Sequence, residues 1–229
     1  MKSLPIVMAA VVVCLPLLAS AAYAEPTALG DTGLIFTPSA DVQEEEVYDV
    51  FARNLTVGGE NRQYISACFG IDDQFEVSAA QLLTPPGSVV APATFINVKY
   101  RFEESRDIDT PISIGIRDLI GRGPNGRTYY VVATNYFDEE EETTSRLTFG
   151  VAYSEVNKWQ FLVGLDGDIS DNWRGLVEWD GQNINLGFRY LETRDEEGEG
   201  LTAEVFLQNA FAPGGNNVFL GVGYRWCSH

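Results

Sequence analysis

Hydrophobic residues recur at every second position of this chain, segment after segment, and a period of two dictates strands rather than helices. Between 182 and 191, Ile184, Leu186, Phe188 and Tyr190 share one face, opposite Asn183, Asn185, Gly187 and Arg189. Just before them, Trp173, Val177 and Trp179 oppose Arg174, Glu178 and Asp180, and Asp180-Gly181 has the composition of a tight hairpin turn. The same alternation sets Leu147, Phe149, Val151 and Tyr153 against Arg146, Thr148, Gly150 and Ala152. It sets Ile112, Ile114 and Ile116 against Ser113, Gly115 and Arg117, and Val218, Leu220, Val222, Tyr224 and Trp226 against Gly221, Gly223 and Arg225. Continued along the chain, it predicts about twelve strands: 47–57, 62–70, 74–83, 94–102, 112–119, 127–137, 145–153, 159–166, 172–180, 182–191, 201–208 and 216–226. No helix longer than a turn fits, so the fold class is all-β.

Alternation alone fits two architectures. A soluble sandwich turns its apolar face inward, whereas a membrane barrel turns it to lipid and keeps polar groups in the lumen. Strand length favours an antiparallel up-and-down transmembrane barrel, because strands of this size suit a tilted span of the bilayer. Aromatics gather at strand ends: Tyr48, Phe102, Tyr136, Phe137, Trp159, Trp173, Trp179, Tyr190 and Trp226. The polar faces carry charge at mid-strand, at Arg53, Glu76, Lys99, Arg101, Arg117, Arg174, Glu178, Arg189 and Glu204. Together with Asp180, these residues make a candidate lumen charge network. Near the end of the chain, Gly221, Tyr224 and Trp226 match the glycine-and-aromatic pattern of the last strand of outer-membrane barrels, which barrel-assembly machinery reads as an insertion signal.

Charge also sorts by side. With both strand termini in the periplasm, the acid-rich turns 71–73, 103–111, 138–144, 167–171 and 192–200 all fall at that end. The opposite loops hold only Glu60 and Glu155, offset by Arg122 and Lys158. An outer leaflet crowded with anionic lipid would repel acidic loops, which gives the segregation a reason.

Composition narrows the function classes. The 229 residues carry 33 acids against 15 Lys and Arg, a net charge of −18, so the basic stripe of a nucleic-acid binder is missing. The single histidine is His229, which removes the usual catalytic triads and histidine-rich zinc sites. Residues 1–24 have Lys2, an apolar run from Leu4 to Leu18 broken by Pro5 and Pro16, and the ending Ala22-Tyr23-Ala24. That is the anatomy of a cleaved signal peptide, and it implies export to the outer membrane of a Gram-negative cell. The expected organisation is a signal peptide at 1–24, an N-terminal segment at 25–46 and the barrel at 47–229. The middle segment either tucks into the lumen or extends into the periplasm, and its composition fits both.

Two further stretches carry a resemblance. Gly30-Asp31-Thr32-Gly33-Leu34-Ile35-Phe36-Thr37-Pro38-Ser39-Ala40 is one; Ser113-Ile114-Gly115-Ile116-Arg117-Asp118-Leu119-Ile120-Gly121, continuing through Gly123 to Tyr130-Val131-Val132-Ala133-Thr134, is the other. Both resemble the YjbH-like family of outer-membrane β-barrel proteins, whose long members are several times this length. The resemblance implies a non-enzymatic structural or export-accessory role linked to surface exopolysaccharide, with the polysaccharide or its export proteins as partners besides outer-membrane lipid. The alternative is a passive pore for small solutes.

Other motifs lead nowhere. Asp166-x-Asp168-x-Ser170 begins like a calcium loop but has Asp171 where the loop needs glycine. The glycine-rich stretch 121–126 precedes no helix that could hold a phosphate. Glu178 and Asp180 share a strand face in the manner of a hydrolase pair, but a lumen charge network is the better explanation of both. No cofactor and no metal is expected. Arg117, on the lumen face, needs a carboxylate partner, for which Glu76, Glu178 and Asp180 are the candidates. Cys68 and Cys227 are exported thiols; an intervening strand sets them beyond ordinary disulfide reach, and only a bent tail at Cys227 would let them pair.

Overall fold

A computed structural model describes residues 25–57, 60–88, 90–102, 110–138, 144–192, 199–210 and 217–228. The leader and the acidic runs at 103–109, 139–143 and 193–198 lie outside the described residues. The strands are β1 (Val47–Val57), β2 (Glu60–Gly70), β3 (Phe75–Leu83), β4 (Ala93–Arg101), β5 (Ile112–Arg117) and β6 (Thr128–Asp138). They continue with β7 (Thr144–Ser154), β8 (Lys158–Ser170), β9 (Trp173–Trp179), β10 (Ile184–Leu191), β11 (Gly200–Gln208) and β12 (Asn217–Cys227). Each pairs antiparallel with its sequence neighbour, and β1 closes the barrel on β12 from Val47↔Cys227 to Thr56↔Val218. Closure leaves no sheet edge unpaired, which is what a bilayer requires of a β-protein.

Most strand ends shift by one to four residues from the sequence expectation, and two of the shifts bear on the lumen. Strand β5 stops at Arg117 because Asp118 turns the chain at φ 54°. Strand β8 runs on to Ser170, so Asp168, expected in an acidic turn, is a buried lumen residue. The β9–β10 connection is also longer than a two-residue hairpin. Asp180 Oδ1 accepts the N–H groups of Gln182 (2.9 Å) and Asn183 (2.7 Å), and Gly181 takes φ 92°.

Polarity is inverted relative to a soluble domain. Outward positions are apolar: Val50, Ile65, Ile114, Val131, Val163, Leu220 and Val222 are exposed, Phe161 most of all at 73%. A continuous apolar wall of this kind is stable in lipid and would aggregate in water. Aromatic pairs ring both rims. At the rim where β1 begins, Tyr48 stacks on Trp226 and Phe69, Tyr100 meets Phe102, and Trp173 meets Tyr190. At the far rim Tyr153 meets Trp159 edge-on at 5.3 Å.

Residues 25–43 lie inside the barrel and fill its lumen. Ala28, Asp31, Thr32, Leu34, Ile35, Thr37 and Ala40 have no exposed surface. The segment folds back on itself through Thr27 N–H to Asp31 O (2.6 Å) and Ala28 N–H to Ile35 O (2.7 Å). Two glycines permit this: Gly30 adopts φ 105°, and a Cβ on Gly33 would lie 2.3 Å from Thr37 O. The chain then leaves beside Gly70, which pairs with Glu45, and enters β1.

Candidate functional site in the barrel lumen

The inward face of the wall and the plug segment form one tightly paired surface. Its apolar part takes Leu34 and Ile35 among Leu55, Tyr64, Leu82, Phe95, Phe206 and Phe219. Phe36 packs edge-on against Phe219 at 5.2 Å. Wall glycines make the room, since a Cβ on Gly164 would sit 2.5 Å from Leu34 Cδ2 and one on Gly187 would hit the Phe206 ring at 2.2 Å.

The polar part is a set of separate clasps. Arg117 grips Asp31 with Nε (3.0 and 2.8 Å) and Nη2 (2.8 Å), and Tyr130 adds its hydroxyl at 3.0 Å. The same Arg117 donates through Nη1 to Phe36 O at 2.5 Å. Glu178 accepts the consecutive backbone N–H groups of Ile35 (3.0 Å), Phe36 (2.9 Å) and Thr37 (2.9 Å), while Asn185 Nδ2 steadies it at 2.8 Å. A run of N–H groups converging on one carboxylate is an anion nest built from the plug's own backbone.

Glu76 takes Thr32 N–H (3.0 Å), Thr32 Oγ1 (2.7 Å) and Gln43 N–H (2.9 Å), and Lys99 Nζ lies 3.6 Å away. Lys99 in turn donates to Thr32 O and Asp41 O, both at 2.8 Å. Asp41 pairs with Arg146 at 3.0 Å and accepts the Tyr136 hydroxyl. Ala40 is held on both sides of its peptide, by Ser113 Oγ on its carbonyl (2.5 Å) and by Thr134 Oγ1 on its N–H (2.8 Å). Pro26 O accepts from Arg53 (2.9 Å) and Arg189 (3.4 Å), both of which pair with Glu204.

Burial strips charges of water, so they persist only when paired and hydrogen-bonded. For the plug acids the balance is visible. Burial, the largest single influence, pushes the Asp31 carboxyl up, but Arg117, Lys99 and Thr27 together hold the group below the ordinary carboxylate range. For Asp41 burial is again the largest influence, and Arg146, Tyr136, Lys99 and Ser39 together bring the group below that range.

Several sequence expectations need correction. The carboxylate that Arg117 meets is Asp31 of the plug, rather than Glu76, Glu178 or Asp180. Glu178 faces plug N–H groups instead of an arginine. Arg101 and Asp180 do not join the buried network. Arg101 is half-exposed and reaches Asp73 O at 2.6 Å, while Asp180 caps the β9–β10 turn and accepts Asn185 Nδ2 at 3.0 Å.

Arg174 pairs with Asp168 at 2.8 Å and faces Asp166 at 3.6 Å. Asp166 also pairs with Arg146 at 2.6 Å, so both acids of the calcium-like triplet are spent on arginines. The lumen network also includes Asp31, Asp41, Asp49, Arg146, Asp166, Asp168 and Arg225, which lie outside the candidate charge set. Arg146 and Arg225 lay on the polar faces of alternating strands, and that placement was the available signal. Gly221 of the terminal pattern faces inward, where a Cβ would lie 2.5 Å from Glu204 Oε1. Tyr224 and Trp226 sit on the β12 face turned to lipid. Cys68 and Cys227 form no disulfide, and β1 runs between their strands.

No protein-family model and no curated protein matches the chain. Among solved structures, a KdgM porin matches with a TM-score of 0.53 at 12% identity, covering 79% of this chain and 99% of that one. A KdgM porin in complex with disordered oligogalacturonate matches with a TM-score of 0.53 at 11% identity, covering 80% and 99%. At this identity the likeness is one of fold: the chain forms a closed β-barrel of outer-membrane type.

Proposed function

We propose that the protein is a non-enzymatic outer-membrane channel held shut by its own N-terminal segment, a passive pore for small solutes when that segment leaves. The observation that carries this reading is the plug itself. Residues 25–43 are continuous with β1 at one rim only and are seated through reversible ion pairs and hydrogen bonds. Much of the wall behind them is polar and charged, a surface that water can occupy after release, as in barrels with aqueous lumens. The fold likeness to porins supports a channel over a scaffold.

Release would carry Asp31 and Asp41 away from Arg117 and Arg146. The open wall then turns more cationic, and anionic solutes are the class it favours. Planar-bilayer recording tests the reading. Intact protein should be silent or open only briefly, and Arg117→Ala should open for longer and prefer anions. Silence of both, with the barrel folded and heat-modifiable, would mark a structural scaffold instead.

That scaffold is the second reading: an export-accessory barrel linked to surface exopolysaccharide, with export proteins as partners and assembly through the barrel machinery. It is favoured by one observation. The two segments that resemble the YjbH-like family are the two that meet, through Arg117–Asp31, Tyr130–Asp31, Ser113–Ala40 and Thr134–Ala40.

A further inference from the structure

On the lipid-facing side, β5 has only 6 residues between the 9 of β4 and the 11 of β6. A groove of about 450 Å³ dents the wall there, within the ~300–1,000 Å³ range of ligand-holding clefts. Ile114, Ile116, Tyr129, Val131, Val151 and Trp159 line it, and its floor reaches Gly115 and Tyr130. The lining is hydrocarbon and aromatic ring from end to end.

Two cations stand at its far-rim end. Lys158 Nζ lies 5.9 Å from the centre of the Tyr153 ring, which itself packs edge-on to Trp159. Arg127 is exposed next to Tyr129, and its guanidinium meets Glu155 at 3.6 Å. The Glu155 carboxylate pairs with Arg127, whereas Lys158 Nζ donates to the main-chain carbonyl of Glu155 at 2.8 Å.

We propose that this groove binds one acyl chain of an anionic membrane lipid, with the lipid phosphate held between Arg127 and Lys158. A chain-shaped apolar slot with cations at headgroup depth matches an anionic lipid at both ends. A second copy of the barrel fits worse. A twofold contact through this face would bring two Arg127–Lys158 pairs toward each other, and like charges repel. The inference rests on the membrane placement of the barrel.

The test uses the full chain in phosphatidylcholine vesicles containing a minority of brominated phosphatidylglycerol, whose bromines quench nearby tryptophan. The Trp159 signal is taken as the difference from Trp159→Phe; the difference from Trp173→Phe reports the opposite girdle. Trp159 should be quenched as if the anionic lipid were enriched, on the order of fivefold for each cation. Arg127→Ala/Lys158→Ala should abolish the enrichment, and Trp173 should follow the bulk lipid fraction.

Trp159 quenching that merely tracks the bulk fraction would overturn the proposal. So would a Trp159 shielded from every brominated lipid while Trp173 is quenched, since a protein would then cover the groove. If neither residue is quenched, the barrel is not in the bilayer, and the membrane placement falls together with the proposal.

Discussion

The same twelve strands present two faces with opposite rules. The outward face touches a uniform solvent, so any apolar side chain of suitable size serves, from Val50 to Phe161. The inward face touches one particular segment, so each position has its own partner: Arg117 has Asp31, Glu178 has three plug N–H groups, and Gly164 has Leu34. The outside is a matter of composition and the inside a matter of address. Substitutions should therefore be cheap on one face and costly on the other.

The largest effect belongs to Arg117→Ala. It strands Asp31 as an unpaired buried charge, a loss of about 3–5 kcal/mol for a broken buried pair. The boiling step that unfolds the barrel should then be needed at lower temperature, and channel openings should lengthen. Adding Asp31→Ala to that variant should cost less than the sum of the two single changes, because no buried charge is left behind. Equal additivity would break the claim that the two residues act as a pair.

Leu34→Ala comes next. It opens a cavity in the apolar part of the plug contact, about 3 kcal/mol for a buried leucine, and thermal unfolding should fall without any change in ion selectivity. Glu178→Gln follows at about 1–3 kcal/mol, because one amide oxygen must serve three N–H donors and the amide N–H group opposes them.

Acid should matter late. Asp31 and Asp41 are held below the ordinary carboxylate range, because their cations and hydrogen-bond donors together outweigh burial. Their contribution is complete above the unfolded value and disappears as pH falls through the lowered one. The contribution of these two groups to gating should be flat between about pH 7 and pH 5 and be lost only in stronger acid. The smallest effect is Phe161→Leu on the lipid face, within about 0.5 kcal/mol and with unchanged conductance. A loss there comparable to that of Arg117→Ala would erase the distinction between the faces.

Legibility from sequence divides along the same line. The strands, their facing and the closed architecture could be read from alternation, because lipid is the same at every outward position. Lumen partners could not. Asp31 lies 86 residues before Arg117, in a segment with no period to mark its location. One signal was available: Phe51, Leu55, Phe95, Phe206 and Phe219 sit on faces that should line water in an open pore. Apolar bulk on the lumen face means that the lumen is occupied. The early stop of β5 was hidden for a different reason. Asp118 turns the chain to cap the following loop, accepting N–H groups of Gly121 (3.0 Å) and Gly123 (2.5 Å), and nothing in the alternation announces it.

The central claim is that residues 25–43 occupy the lumen, and thiol labelling at residue 34 tests it most directly. Leu34→Cys, in a chain with Cys68 and Cys227 replaced by serine, is treated with a bulky water-soluble maleimide in outer-membrane vesicles. The account predicts labelling no faster than plug release allows, and rapid labelling once the barrel is unfolded. Labelling of the folded barrel at the rate of an exposed thiol would contradict it, because residue 34 would then stand in water.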